Sequence, residues 1–250
     1  EGVTFTEGTT IGSPDADDSY SVEVIVNAPG SVTTNTTVAE DDFDDAAASG
    51  FAGGTGWSTD WIEGGESDGS GTGDVRENTT FLRITDNNRT ADRSLTIPSG
   101  ATNVVLSFDF SQLGTLNDND EFDIEVDDGS GFTRVATIEP STASSPFSLD
   151  ITSDANTSGG TTTIRFNTDR FRNNRGDDDG YEIDNVKITA DVTTPVDTTL
   201  VGWIDFDRDG VFDADEAQTL STTDTVPLVT DGTTPNTLTW TGFNNDLDDN

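Results

Sequence analysis

The residues with the clearest chemistry lie between Asp205 and Glu216, where carboxylates recur at alternate positions before a glycine. Asp205, Asp207 and Asp209 take positions one, three and five of a twelve-residue loop, and Gly210 takes position six, where such a loop turns sharply. Oxygen ligands at this spacing are those that Ca²⁺ prefers in proteins. The segment therefore predicts a calcium site of the EF-hand-like kind.

The second half of the same loop completes the expected shell of ligands. Val211 offers its backbone carbonyl at position seven, and Asp213 offers a carboxylate, directly or through water, at position nine. Glu216 at position twelve supplies two oxygens, and the apolar Phe212 is suited to anchor the loop to a core. We expect a dissociation constant of about 10⁻⁴ to 10⁻³ M, the range of extracellular sites.

The residues around this loop indicate what kind of calcium site it is. Leu200 to Ile204 reads as a strand, and Pro227 excludes a long helix after the loop. A helix–loop–helix sensor needs helices on both sides. The sequence therefore predicts a calcium staple between β-strands.

The charge of the chain limits its partners. Its 49 acidic residues face 11 basic ones, the net charge is -38, and Lys187 is the only lysine. Coulomb repulsion opposes binding to nucleic acid or to an anionic membrane, and no apolar run is long enough to cross a bilayer. Two compatible interpretations remain: carboxylates that collect divalent cations, and a highly hydrated surface for a salty habitat.

Missing residue types narrow the chemistry further. The chain contains no Cys, His or Met, which excludes disulfides, thiolate metal sites, and Ser-His or Cys-His nucleophiles. Glycoside hydrolysis by two carboxylates is the common catalytic route that stays open. We predict a non-enzymatic, secreted protein of a bacterial or archaeal cell surface. Because the sequence starts at Glu1, we expect a processed form or an excerpt.

Residues 41–190 predict one all-β domain. Apolar residues alternate with polar ones in seven segments, turn residues separate the segments, and no helical period is present. This pattern favours a β-sandwich. The predicted strands are Thr80–Thr85, Ser94–Ile97, Asn103–Phe110, Glu121–Val126, Thr133–Ile138, Thr161–Phe166 and Tyr181–Ile188.

The order of motifs in this domain resembles the bacterial MAM-like, concanavalin-type jelly rolls. The motifs are Asp41-Asp-Phe-Asp-Asp45, Gly56-Trp57, Trp61, Phe81-Leu-Arg83, Leu106-Ser-Phe-Asp-Phe110 and Ile183-Asp-Asn-Val186. The resemblance implies a jelly roll that often carries structural calcium. It suggests a second site at Asp42, Asp44 and Asp184; a solvated acidic turn is an equal alternative.

A short linker, residues 191–197, precedes a small β-unit over residues 198–250. The unit resembles the GEVED-type domains of bacterial surface proteins, through Trp203-Ile-Asp-Phe206 and the acidic Asp-Gly loop that follows. Its further strands are predicted at Thr225–Val229 and Thr237–Thr241. We expect the unit to be truncated, or to take a missing strand from another molecule.

Residues 1–40 predict an N-terminal segment of two strands, around Val3–Phe5 and Tyr20–Val26. The amino-acid sequence of these two strands resembles that of repeat strands in Calx-beta-like bacterial adhesin modules. Two strands cannot form a stable domain alone. We therefore expect residues 1–26 to pair with the sheet edge of a neighbouring copy, as a donor strand.

Exposed aromatic residues would indicate glycan binding. Trp57 and Trp61 are candidates for a sugar-stacking platform, although buried packing is the more common role of tryptophan in a thin core. Trp203 alternates inward on its strand, so we expect it in the core.

Two functions follow from these features. The first is a calcium-binding structural protein, a filament subunit or adhesin segment that binds copies of itself or other surface proteins. The alternative is a carbohydrate-binding module of a secreted hydrolase, with glycan partners.

Overall fold

The computed structural model describes residues 4–6, 19–28, 30–44, 51–67, 69–78, 80–117, 120–171, 179–203, 211, 214, 217–224 and 226–241. These residues form β-strands joined by turns, and the prediction of an all-β fold is confirmed. No helix among them is long and apolar enough to span a bilayer. The strands are β1 (Thr4–Thr6), β2 (Ser19–Ile25), β3 (Ser31–Asp41), β4 (Ile62–Gly64), β5 (Val75–Asn78), β6 (Phe81–Thr85), β7 (Thr90–Thr96), β8 (Thr102–Leu113), β9 (Glu121–Asp127), β10 (Thr133–Ile138), β11 (Phe147–Asp150), β12 (Thr161–Arg170), β13 (Gly180–Pro195), β14 (Thr199–Trp203), β15 (Ala217–Ser221) and β16 (Asn236–Thr241).

Residues 33–193 form a compact unit with two antiparallel sheets. One sheet has the order β10-β9-β12-β7-β4, and the other has the order β11-β8-β13-β6-β5, with β3 also paired to β13. From β6 to β13 the chain passes repeatedly between the two sheets. This crossing between layers gives the jelly-roll β-sandwich that the sequence predicts.

Alternation along the strands builds the core of the sandwich. On β9, Phe122, Ile124 and Val126 point inward and are buried, whereas Glu121 and Glu125 on the other face are only partly covered. Asp123 on that other face is also buried, and its carboxylate accepts a hydrogen bond from the Thr137 hydroxyl at 2.5 Å. Phe166 of β12 lies at the centre, with its ring centroid 5.6 Å from Trp61 and 5.1 Å from Phe108. Apolar residues at every second position thus fill the space between the sheets.

One inward position of the sandwich holds a charge. Arg93 of β7 and Asp41 of β3 are 2% and 3% exposed, and the guanidinium pairs with the carboxylate. Asp41 also accepts hydrogen bonds from the indole nitrogen of Trp61 at 3.1 Å and from the backbone N–H of Phe43 at 3.0 Å. Arg93 donates further bonds to the carbonyl oxygens of Gly53 and Thr59, so the buried pair has the partners it needs.

Residues 1–32 and 194–250 form the other compact unit. It contains a sheet of order β1-β2-β16 and a two-stranded hairpin, β14–β15. Val24, Leu228 and Leu238 form its buried apolar centre, and Asn236 is 4% exposed beside them. The Asn236 amide donates to the carbonyls of Val24 and Val229, and its oxygen accepts the N–H of Val229.

The predicted domain limits differ from those of the structure. Residues 1–40 are not one segment, because most of β3 belongs to the sandwich whereas β1 and β2 belong to the other unit. The predicted linker 191–197 is largely the end of β13, which runs to Pro195. Residues 226–229 are not a strand, although alternation predicts one there. The alternation of apolar and polar residues predicts where a strand lies, but it does not predict which distant strands pair.

The segment expected to serve as a donor strand has a partner in its own chain. Ser19–Ile25 pairs with Asn236–Thr241 in antiparallel register, with Val22 opposite Leu238, and Thr4–Thr6 pairs with the other edge of β2. These contacts occupy both edges of β2 over the paired residues. Donation of this strand to a neighbouring copy would therefore require these pairs to open.

Candidate functional site

The predicted calcium loop joins the two strands of the β14–β15 hairpin. Trp203, the last residue of β14, lies opposite Ala217, the first residue of β15. Paired residues of antiparallel strands have Cα atoms about 4.5–5.5 Å apart, so the chain leaves β14 and enters β15 at nearly the same point. Positions one and twelve of a calcium loop must reach one ion, and a segment whose flanking strand ends are paired meets that requirement more easily.

Most of the predicted loop ligands lie outside the described residues. These are Asp205, Asp207, Asp209, Asp213 and Glu216. Val211, the expected carbonyl ligand, is described and is 55% exposed. The flanking strands confirm a β-setting for the loop, and its occupancy by calcium remains a prediction.

The residues of the predicted second site lie close enough to interact. Asp184 is on β13, where a break in the pairing with β8 lies between Asp184 and Lys187 and Asn185 adopts a φ of 52°. Burial raises the pKa of Asp184; the N–H of Asn185 lowers it, and the carboxylates of Asp109, Asp44 and Asp42 raise it further. The structure thus places the three predicted residues in one electrostatic group.

Asp109 is a member of this group that the sequence prediction did not include. It lies on β8 directly opposite Asp184 and, with Asp184, lines a surface cavity of about 310 Å³. Its carboxylate accepts hydrogen bonds from the Asn185 amide at 2.9 Å and the Ser145 hydroxyl at 3.4 Å. The sequence does indicate that Asp109 points outward, because it lies between Phe108 and Phe110 on an apolar strand. The sequence near Asp109 does not show which strand pairs with β8 at this position.

The described carboxylates do not form a metal-binding constellation. Among the residues that the structure covers, no group of three or more His, Cys, Asp or Glu side chains is arranged to hold a metal ion. Asp42 and Asp44 are exposed, whereas Asp184 is half-buried. The second site therefore stays a prediction, and electrostatic repulsion is the property that the geometry supports.

We expect Asp184→Asn to raise the melting temperature in a chelator at neutral pH. The folded-state pKa of Asp184 lies above its unfolded value, so ionised Asp184 destabilises the fold, and this cost is relieved as the pH falls through the folded-state pKa. Thermal unfolding over a pH series measures the effect, and the gain should shrink as the pH falls. Glu139→Gln is the control, because it removes an exposed carboxylate elsewhere on the sandwich. Equal gains from both variants would contradict the prediction.

Trp57 and Trp61 are not positioned as an exposed sugar-stacking platform on the sandwich. Trp61 is 2% exposed, and its ring centroid lies 5.9 Å from that of the half-buried Trp57. The Arg93 guanidinium covers the Trp57 ring at 4.8 Å from its centroid. Trp203 is 50% exposed, so the expectation that it lies in the core is wrong. A two-stranded hairpin has only one layer, and alternation along β14 turns one set of side chains to solvent.

Comparison with known proteins finds a weak structural similarity, which is described below. Neither the known protein families nor the curated proteins contain a significant match to the chain. Among solved structures, the chain is similar to the family 11 carbohydrate-binding module from Clostridium thermocellum in complex with a β-1,3-1,4-mixed-linked tetrasaccharide. The identity is 17% and the TM-score is 0.23, over 74% of this chain and 94% of that chain. The resemblances to MAM-like and GEVED-type domains gain no support from these comparisons, and a likeness of this size says nothing about the ligand.

Proposed function

We propose that the chain is a non-enzymatic, secreted, calcium-binding structural protein of a cell surface, acting as a filament subunit or adhesin segment. The observation that carries the proposal is the pairing of Trp203 with Ala217 around the loop Asp205–Glu216. This pairing supports the proposal, because it holds the two strand ends that flank the loop side by side.

The charge of the chain supports the same function. Carboxylates confined near one point repel one another, and a divalent cation among them offsets that repulsion. A net charge of -38 opposes compaction of the whole chain, so cation binding to the folded state stabilises it by mass action. At a calcium concentration ten times the dissociation constant, the stabilisation from one site is about 1.4 kcal/mol.

Calorimetric titration of the chelator-treated protein with calcium tests the proposal. We expect binding at the loop with a dissociation constant of about 10⁻⁴ to 10⁻³ M, and a higher melting temperature in calcium. The double variant Asp205→Asn/Glu216→Gln removes the first and last ligands and should weaken binding at least about tenfold, whereas Glu139→Gln should leave it unchanged. An unaltered titration for the double variant would overturn the assignment of the loop.

The assembly part of the proposal has its own test. Electron microscopy of the native material, with calcium and with a chelator, should show filaments or ordered surface layers that disperse when calcium is removed. Because β2 is paired on both sides within the chain, assembly through the N-terminal strand requires exchange of these pairs between copies. Monodisperse particles in calcium at high protein concentration would contradict the filament role and leave calcium binding intact.

A further inference from the structure

The sandwich is an insertion in the chain of the other compact unit. That unit consists of residues 1–32 and 194–250, whereas the sandwich consists of residues 33–193. The chain therefore enters the sandwich from the first unit and returns to the same unit when it leaves. This order decides which unit bears a load when the chain is stretched.

The pairing of β2 with β16 closes the chain into a loop that contains the whole sandwich. Six residue pairs join the two strands, from Ser19 opposite Thr241 to Val24 opposite Asn236. These two strands are called the β2–β16 clasp below. Tension applied to the chain before β2 and after β16 passes directly across the clasp, because the hydrogen-bonded strands are the shorter path. The sandwich, in the loop behind the closed clasp, bears none of this tension.

The register of the clasp determines how it yields. Ser19 begins β2 and Thr241 ends β16, and the two residues lie opposite each other at one end of the ladder. Tension that enters at Ser19 and leaves at Thr241 pulls the strands apart from that end, so the hydrogen bonds of the ladder break one after another. The preceding strand β1 adds three residue pairs, from Thr4 opposite Ile25 to Thr6 opposite Glu23, which is a short contact to remove first.

The two units also differ in their resistance to opening. The clasp unit has a small buried apolar centre of Val24, Leu228 and Leu238. The sandwich has an extensive core, in which Phe166 lies fully buried among aromatic rings from both sheets. Forced unfolding is governed by the unfolding rate, and the transfer of more buried apolar surface to water opposes unfolding more strongly. The clasp should therefore open at a lower force than the sandwich.

We infer that the β2–β16 clasp is a mechanical release, which tension along the chain opens before the sandwich. At about 3.5 Å per residue, about 75 residues between Thr4 and Thr241 that lie outside the sandwich supply about 260 Å of extension. The sandwich stays folded during this step and supplies about 560 Å from about 160 residues in a second step. The use of such a release in a filament or adhesin rests on the proposed function, but the order of opening needs neither calcium nor assembly.

Stretching of the full chain in an optical trap, in a chelator and through tags fused to its two ends, tests the inference. We expect a step of about 260 Å at a lower force, followed by a separate step of about 560 Å at a higher force. Leu238→Ala removes a side chain that is 4% exposed in the clasp unit, and it should speed the first step about tenfold or abolish it. Phe166→Ala is the matched variant of the sandwich, and it should speed only the second step.

A disulfide across the clasp provides a control, since the chain contains no cysteine. Ser21 and Thr239 lie opposite each other, at a separation that a disulfide can span. The double variant Ser21→Cys/Thr239→Cys should cross-link, lose both steps when oxidised, and regain them in a reductant. Four results would overturn the inference: failure to cross-link, a single step of about 820 Å, a first step of about 560 Å, or an effect of Leu238→Ala on the second step alone. None of these results would alter the case for calcium binding.

Discussion

Replacing Arg93 with Met is expected to lower the free energy of unfolding of the sandwich by about 3–5 kcal/mol, because it leaves the carboxylate of Asp41 buried without a cation. The two side chains are 2% and 3% exposed. Burial lowers the pKa of Arg93, and the charge of Asp41 beside it acts in the opposite direction. Chemical denaturation measures the loss as a lower midpoint with an unchanged slope.

The surface ion pair of Lys187 and Glu40 supplies the control. Its nitrogen and oxygen are 3.3 Å apart, but the side chains are 41% and 52% exposed. Lys187→Gln should therefore cost less than about 1 kcal/mol. The double variant Arg93→Met/Asp41→Asn removes both charges and should lose less stability than the sum of the single variants. Additive losses would show that the ion pair itself does not explain the effect of Arg93→Met.

Replacing Phe166 with Ala is expected to destabilise the sandwich by about 3–5 kcal/mol. The Phe166 ring is fully buried and has aromatic neighbours from both sheets: centroids lie 5.1 Å away in Phe108 and 5.7 Å away in Phe122, and Trp61 is 5.6 Å away. Truncation removes these contacts and leaves a cavity that rigid strands cannot collapse to fill.

Phe81→Ala is the matched control for the core substitution. Phe81 is half-buried on β6, and its ring contacts the Arg83 guanidinium at 5.4 Å from the centroid. We expect this variant to lose less than about 1.5 kcal/mol, since little cavity forms at the surface and an exposed cation–π contact contributes about 0.5–1 kcal/mol. Similar losses for both variants, measured by denaturation, would mean that Phe166 is not the centre of the core.

The two compact units of the chain differ in what stabilises them. The sandwich has an extensive aromatic core and a buried ion pair, so its stability is set by packing. The other unit has a few buried apolar residues around Asn236, together with a two-stranded hairpin on which Trp203 is 50% exposed. A two-stranded hairpin is marginally stable by itself. Calcium in the loop that connects its strands would constrain this hairpin, and that is where we expect the largest response to a chelator.

The sequence by itself determined the all-β class of the chain and predicted the chemistry of its main motif. Strict alternation, as in Phe122, Ile124 and Val126, identifies β-strands because every second side chain of a strand faces the same side. The spacing of Asp205, Asp207 and Asp209 predicts a calcium loop because the ligands of such a loop are close together in the sequence. The alternation of apolar residues and the spacing of the aspartates can both be read without knowing which distant residues are in contact.

Only the tertiary structure decided which residues meet across long separations. The pairing of β2 with β16, the position of Asp109 opposite Asp184, and the pairing of Arg93 with Asp41 all join residues that are remote in the chain. It also decided that Trp203 faces solvent, because alternation gives two faces to a strand but does not say which face a second layer covers. Periodicity is a local property, whereas burial depends on the layers that pack on each face, and this is why only the folded chain shows that Trp203 is exposed.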